Sequence, residues 1–436
     1  MKKAIFSLLC FCFAGAIHAQ DLKSAKSALE KKQLDKAKTQ IDGFLAKSPN
    51  DMEGLYYKAK IYEAIAASDQ FKSLAPDALD QAFEAGKKAV GDGKDPKVTL
   101  LLMQDKYAGI FNLYTAYYEA GAAAFNAAAK TTDKAEFSVA MNDFIKSDSV
   151  GQYIARMGWS KIPSVDTVLV LNIGKAALNA GNEEVTMTAF KLLADSSITG
   201  VKGEDNSSYV LPYQWLVLHY KDKKDDANFI KYDELGKKLF PESDYFDLVM
   251  IDDLKEKKDY DNLFAKYAAL VAKRPDSAAY HFNYANDIFG YLYNGEEGVV
   301  VKNKEALMKT LGEQLEKAHS LDSNDVLSNW LYAQYYYNQG IDTRDSASKV
   351  KGTKPDDVKK KADLNAMAKD FFNKAIPYGE KGLSTLEAQG YKKAERSHYK
   401  SIVDLMERIY QSLNDNVNTK KYDAMYDAAD KKFVND

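Results

Sequence analysis

The sequence predicts an all-α fold, an α-solenoid of stacked antiparallel helix pairs, on three observations. Apolar and small side chains recur with a 34-residue period. Within each period they fall three and four residues apart, the spacing of one helix face. Strand signals are nearly absent, since Val168 to Leu171 lies inside a helical pattern and Val299 to Val301 inside an insertion. One such pair has too little apolar surface to close a core alone, so each must stack on the next.

The first twenty residues, MKKAIFSLLCFCFAGAIHAQ, stand apart from this pattern. Lys2 and Lys3 precede an apolar run from Ala4 to Phe13 and a small-residue zone from Ala14 to Ala19, the order of a secretory signal peptide. The run is shorter than the roughly 20 residues a bilayer span needs, and no transmembrane segment is expected. Residues 1–19 are therefore read as a signal, and the product as an exported protein of the periplasm, outer membrane surface or medium. Cys10 and Cys12 both lie inside that signal, neither at a lipoprotein cleavage position, so the remainder has no thiol for redox chemistry or metal binding. Without Lys2 and Lys3 the chain carries 58 basic and 63 acidic residues, a balance that disfavours nucleic acid.

Residues 20–197 form an N-terminal set of helical repeats. Ala25 and Ala59, then Ala28 and Tyr62, are 34 apart, and Pro49 in AKSPNDMEGLYYKAKIYE closes the first unit. An insertion from Ser68 to Asp77 separates the helices of the next, and the stretch from Val98 to Pro163 is the least regular. Residues 198–436 form a C-terminal set. Pro241 and Pro275 are 34 apart, and Leu216, Met250 and Tyr284 keep the same step, as do Val217, Ile251 and Ala285, then Tyr220, Leu254 and Ile288. In KRPDSAAYHFNYANDIF the Pro-Asp break is thus a repeat junction. Asp276 or Ser277 caps the following helix, and Tyr280, Tyr284 and Ile288 form a core stripe. Two insertions follow, near 290–304 and 341–363, each expected as a loop between the helices of a unit, the second charged and mobile. About nine helix pairs reach from Asp21 to Phe433.

The period and its residues resemble the tetratricopeptide repeat. In VLVLNIGKAALNAGNEEVTMTAFKLLA, Ile173-Gly174 stands where that family has Leu-Gly, Ala177 where it has Tyr, Gly181 at the turn and Phe190 at the second-helix aromatic; Thr186 replaces an expected alanine. The resemblance implies a right-handed superhelix whose first helices line a concave groove for extended segments or helices of partner proteins. It sets Tyr57, Lys60, Trp215, Asn283, Asn286, Trp330, Gln334 and Asn338 on that face. The carboxylate clamp of some family members is absent: Lys60, Leu218, Asp252, Asn286 and Gln334 occupy the equivalent positions. In WLYAQYYYNQG, consecutive residues point about 100° apart, so Tyr335, Tyr336 and Tyr337 cannot share one stripe.

No catalytic constellation emerges. His219, His281, His319 and His398 lie in four different units without a second ligand at helical spacing. GDGKDP, from Gly91 to Pro96, fails the phosphate-loop pattern because Asp95 follows Lys94. LDSNDVLSN lacks the glycine of a calcium loop, and its Asp322 to Asp325 segment fits a helix cap. The expectation is a non-enzymatic scaffold of the bacterial envelope, without cofactor or metal, that binds other envelope proteins. A glycan-binding surface protein built on similar repeats is the alternative.

Overall fold

The computed structural model describes residues 21–91, 93–159, 165–203, 205–293 and 301–433. The segment read as a signal peptide therefore lies outside the described residues. The chain divides into two compact units, Met1–Ser243 and Asp244–Asp436. The sequence boundary at 197/198 falls inside the first of them.

Unit 1 holds α1 (Leu22–Glu30), α2 (Leu34–Lys47), α3 (Met52–Ala66), α4 (Ala78–Val90), α5 (Pro96–Gln104), α6 (Ala108–Thr131), α7 (Lys134–Arg156), α8 (Thr167–Ala180), α9 (Glu183–Asp195), α10 (Leu211–Asp222) and α11 (Asp226–Leu239). Unit 2 holds α12 (Tyr245–Glu256), α13 (Tyr260–Lys273), α14 (Ala278–Tyr293), α15 (Lys304–Leu321), α16 (Val326–Ser348), α17 (Pro355–Ala388), α18 (Arg396–Ser412) and α19 (Asn416–Lys432). Among the described residues these 19 helices form nine pairs, with α5 the single unpaired helix. The fold is an all-α helical repeat.

The period is visible in the backbone. Helices α10 and α12 begin 34 residues apart, as do α11 and α13. The turn inside four of the pairs, α8/α9, α10/α11, α12/α13 and α18/α19, is built the same way, with a left-handed residue followed by a capping side chain. Lys224 (φ 57°), Lys258 (φ 54°), Asn414 (φ 58°) and Gly181 (φ 79°) take the left-handed position. The next residue's N–H then reaches back to the helix it leaves, Asp225 to Tyr220, Asp259 to Leu254, Asp415 to Tyr410 and Asn182 to Ala177, each at 2.9 Å. The same side chains cap the helix they enter: Asp225, Asp259 and Asp415 accept from the backbone N–H of Asn228, Asn262 and Asn418. At three junctions between pairs, proline sets the turn. Ser48, Phe240 and Arg274, each preceding a proline, are forced out of the helical region to ψ 68°, 65° and 67°.

Close approach within a pair rests on glycine facing an aromatic ring. A Cβ on Gly174 would lie 2.3 Å from Phe190, one on Gly340 2.5 Å from Phe372, and one on Gly121 2.8 Å from Phe144. These three contacts join α8 to α9, α16 to α17 and α6 to α7. The pair α6/α7 fills the stretch that looked irregular, and its helices are simply longer, 24 and 23 residues.

The expected stripe on α14 holds for Tyr284 and Ile288, which are buried. Tyr280 is half-buried at its edge, and the Ser277 hydroxyl caps the helix by accepting from Tyr280 N–H. The Ser68–Asp77 insertion is a connection between α3 and α4. In the second insertion Gly290–Tyr293 belongs to α14, and residues 294–300 lie outside the described residues. The third corrects the sequence reading: Ile341–Asp363 is not a long loop. Helix α16 continues to Ser348 and α17 starts at Pro355, leaving only Lys349–Lys354 between them. A segment too polar to bury a core can still extend packed helices, because their nucleation is already complete. Pro355 in the first turn, followed by Asp356 and Asp357, gives α17 a favourable start.

Gly174→Ala should lower stability by about 2 kcal/mol in denaturant unfolding, overpacking outweighing the roughly 1 kcal/mol gained in helix propensity. Gly290→Ala, where a Cβ meets nothing within 4 Å, should instead raise it by about 0.5–1 kcal/mol.

Candidate functional site

The eight groove residues all lie on first helices of their pairs, but they divide between the units. Tyr57 and Lys60 are on α3 and Trp215 on α10, in unit 1; Asn283 and Asn286 are on α14, and Trp330, Gln334 and Asn338 on α16, in unit 2. Within unit 2, α14 packs on α16 and α16 on α18, first helix against first helix. The helices that carry Asn283, Asn286, Trp330, Gln334 and Asn338 are therefore in contact with one another.

Their environments differ. Asn283 and Asn286 are exposed, Gln334 and Asn338 half-buried, and none of these four amides forms a side-chain hydrogen bond with a described residue. Trp330 is half-buried against the core that contains Phe372, Tyr399 and Ile402. Trp215 stacks on His219 at 4.8 Å and meets Phe190 edge-on at 5.7 Å. Tyr57 lies beneath the Lys26 ammonium at 4.5 Å. Lys60 is held 3.3 Å from Asp105, at the wall of an apolar pocket lined also by Tyr56, Gly86, Ile110 and Leu113. The amides are thus available to a partner, whereas both tryptophans and Lys60 already have work inside the fold.

The three consecutive tyrosines all meet neighbouring helices. Tyr335 crosses to α15, where its ring fills the space over Gly312; Tyr336 stacks with Tyr332 at 5.1 Å and Tyr378 at 5.8 Å; Tyr337 leans on Phe372 at 5.7 Å. Tyr337 also borders an open polar cleft between α16 and α18, with Arg344, Asp404, Glu407 and Arg408. Arg408 pairs with Asp404 at 2.9 Å, and Arg344 lies over the Phe372 ring at 5.5 Å. His281 is buried, its Nε2–H donating to the Pro275 carbonyl at 3.2 Å and its Nδ1 lying 2.6 Å from Gln314 Oε1. The histidine in the aromatic stretch therefore ties the junction proline to α15. Among the described residues no group of three or more His, Cys, Asp or Glu side chains is arranged to hold a metal ion.

A recurring contact that the sequence reading missed joins different helices. Tyrosine hydroxyls donate to aspartates at seven places: Tyr56 to Asp105 (2.5 Å), Tyr62 to Asp42 (2.7 Å), Tyr114 to Asp166 (2.5 Å), Tyr117 to Asp80 (2.5 Å), Tyr232 to Asp195 (3.0 Å), Tyr267 to Asp287 (2.7 Å) and Tyr280 to Asp244 (3.2 Å). In six a lysine completes the group, namely Lys60, Lys38, Lys146, Lys231, Lys255 and Lys273. The lysine often lies over the same ring as well, as Lys231 does over Tyr232 at 4.5 Å. Burial followed by the aspartate bond pushes the Tyr232 phenol up to about 12, and moves Tyr56, Tyr62, Tyr117 and Tyr267 higher still. Burial raises the Asp80 and Asp195 carboxyls too, yet hydrogen bonds from lysine and tyrosine hold both below their usual value. The signal available in the sequence was composition: 29 tyrosines beside abundant aspartate and lysine.

No family model matches the chain, and no curated protein matches it. Among solved structures, human IFIT1 dimer with m7Gppp-AAAA is 15% identical over 86% of this chain and 90% of that chain, with a TM-score of 0.24. The P58(IPK) TPR domain is 13% identical over 89% and 97%, TM-score 0.24. The APC/C hetero-tetramer Cut9–Hcn1 is 11% identical over 95% and 79%, TM-score 0.21. At such scores the likeness carries no argument. The helical-repeat fold rests on this chain's own features, its 34-residue helix spacing, its pairwise helix packing and its Gly174–Phe190 contact.

The raised phenols fix a pH dependence. A folded-state value above the unfolded one near 10 gives stability that is complete below pH 10 and lost as pH rises through the folded value. The melting temperature should therefore fall steadily above about pH 10. Absorbance at 295 nm should show that the clamped tyrosines ionise later than the same chain in urea; identical titration curves in the two states would refute the clamps.

Proposed function

We propose that the chain is a non-enzymatic protein–protein interaction scaffold of the bacterial envelope, which binds an extended partner segment along the first helices of unit 2. The observation that carries this reading is the set of four side-chain amides, Asn283, Asn286, Gln334 and Asn338, without hydrogen-bond partners among the described residues. They stand beside a stripe, Tyr284, Ala285 and Ile288, that is complete without them. Amides spaced along adjacent helices match the alternating N–H and C=O groups of an extended backbone. First-helix contacts from α14 to α18 support a concave side lined by first helices. Export by the segment up to Ala19 belongs to the same reading and is checked by N-terminal sequencing, which should start at Gln20 or within a few residues.

The test separates surface from core. Asn283→Ala, Asn286→Ala and Gln334→Ala combined should change stability by less than about 0.5 kcal/mol per site, since such side chains contribute little to folding. The triple variant should lose at least about tenfold in affinity for a partner identified by photo-crosslinking from position 286, each lost hydrogen bond being worth about 0.5–1.5 kcal/mol. Unchanged affinity in a folded triple variant would refute the site, and unfolding of that variant would mean that the amides are structural.

A further inference from the structure

The insertion Ile341–Asp363 lies apart from the amide row, and its structure points to a second surface. Here α16 and α17 run past the helices that pack on them: from Lys351 to Met367 every residue is exposed except half-buried Asp357 and Leu364. The result is a helical hairpin whose tip is the turn Lys349–Lys354. Six lysines, Lys349, Lys351, Lys354, Lys359, Lys360 and Lys361, fall within thirteen residues that contain only two carboxylates, Asp356 and Asp357. All six are exposed, and none forms an ion pair with a described residue. Elsewhere lysines are commonly paired, as in the tyrosine–aspartate groups, and the chain as a whole is net −3. Unpaired positive charge is thus concentrated on one protrusion of an acidic protein.

We propose that this hairpin tip docks on an anionic lipid bilayer. The inference is independent of the partner groove. A convex tip has no cleft to hold a peptide, whereas a flat surface of like charges meets all of its ammonium groups at once. Nucleic acid presents a similar charge, but residues 349–361 contain no aromatic ring to stack on a base and no arginine to fork onto a phosphate. Val358 is 58% exposed, with Lys361 three residues on along the same helix face and Lys354 at the helix N-cap before it. An apolar group between two cations suits the boundary between headgroups and acyl chains. Each lysine near an anionic leaflet strengthens binding by about fivefold, so several acting together hold the protein at low salt and release it at high salt.

The experiment is vesicle co-sedimentation of the full chain at low ionic strength. It compares phosphatidylcholine vesicles with vesicles containing about one third phosphatidylglycerol. The difference between the two removes any charge-independent contribution from the apolar run Ala4–Phe13. Binding to the anionic vesicles should exceed that to neutral ones and disappear at about 0.5 M salt. Lys359→Glu, Lys360→Glu and Lys361→Glu combined should reduce it at least tenfold with an unchanged melting curve, while the three Lys→Arg changes should keep it. Equal binding by the Glu variant and the parent would overturn the proposal. So would equal binding to both vesicles, or retention on duplex DNA without retention on anionic vesicles. Should the Glu variant misfold, the Lys→Gln triple decides by the same readout.

Discussion

Each helix pair in this chain must be joined to the next, and the tyrosine–aspartate bond is where much of that joining is done. A pair closes its own seam when glycine lets an aromatic ring sit against the partner helix, as Gly174 does for Phe190. That seam leaves an outer face whose burial requires the following pair. At the junctions a phenol reaches across, from α13 to Asp287 on α14, from α6 to Asp80 on α4, from α11 to Asp195 on α9. The ring buries apolar area while its hydroxyl meets a carboxylate that also pairs with a lysine. One residue type therefore supplies packing and direction together, which accounts for a chain so rich in tyrosine.

The repeat architecture could be read from the sequence wherever helix length stayed constant. Leu216, Met250 and Tyr284 keep step because α10 to α14 have nearly equal helices and turns. Pro241 and Pro275 announce their turns because the residue before proline cannot be helical. Where helices lengthen, the same physics loses its period. Gly121 and Phe144 are 23 residues apart, Gly174 and Phe190 are 16, Gly340 and Phe372 are 32, although all three make the same contact. The insertion at Ile341–Asp363 was misread for a related reason. Charge and absence of a core pattern describe an exposed helix as well as a loop, and only the continuation from packed turns on either side distinguishes them.

The candidate surface was legible in part. Helical spacing separates Asn283 and Asn286 from the buried Tyr284 and Ile288. It does not reveal that Trp330 leans on the core of the last pairs or that Trp215 meets Phe190, because those contacts come from helices distant in sequence. Lys60 is similar: its partner Asp105 lies 45 residues away at the end of α5. The exposed amides of α14 and the exposed ammonium groups of the α16–α17 hairpin thus belong to different surfaces of unit 2.

The most direct test of this account is a double-mutant cycle across one junction. Tyr267 and Asp287 are well suited, since both are largely buried and the bond spans α13 and α14. Tyr267→Phe removes only the hydroxyl, Asp287→Ala removes the acceptor, and denaturant unfolding of the singles and the double yields their coupling. A coupling of about 1.5 kcal/mol is expected for a hydrogen bond to a charged acceptor in a half-buried site. A coupling below about 0.3 kcal/mol would mean that the phenol contributes through its ring alone, and that the junctions are held by apolar packing without the aspartates.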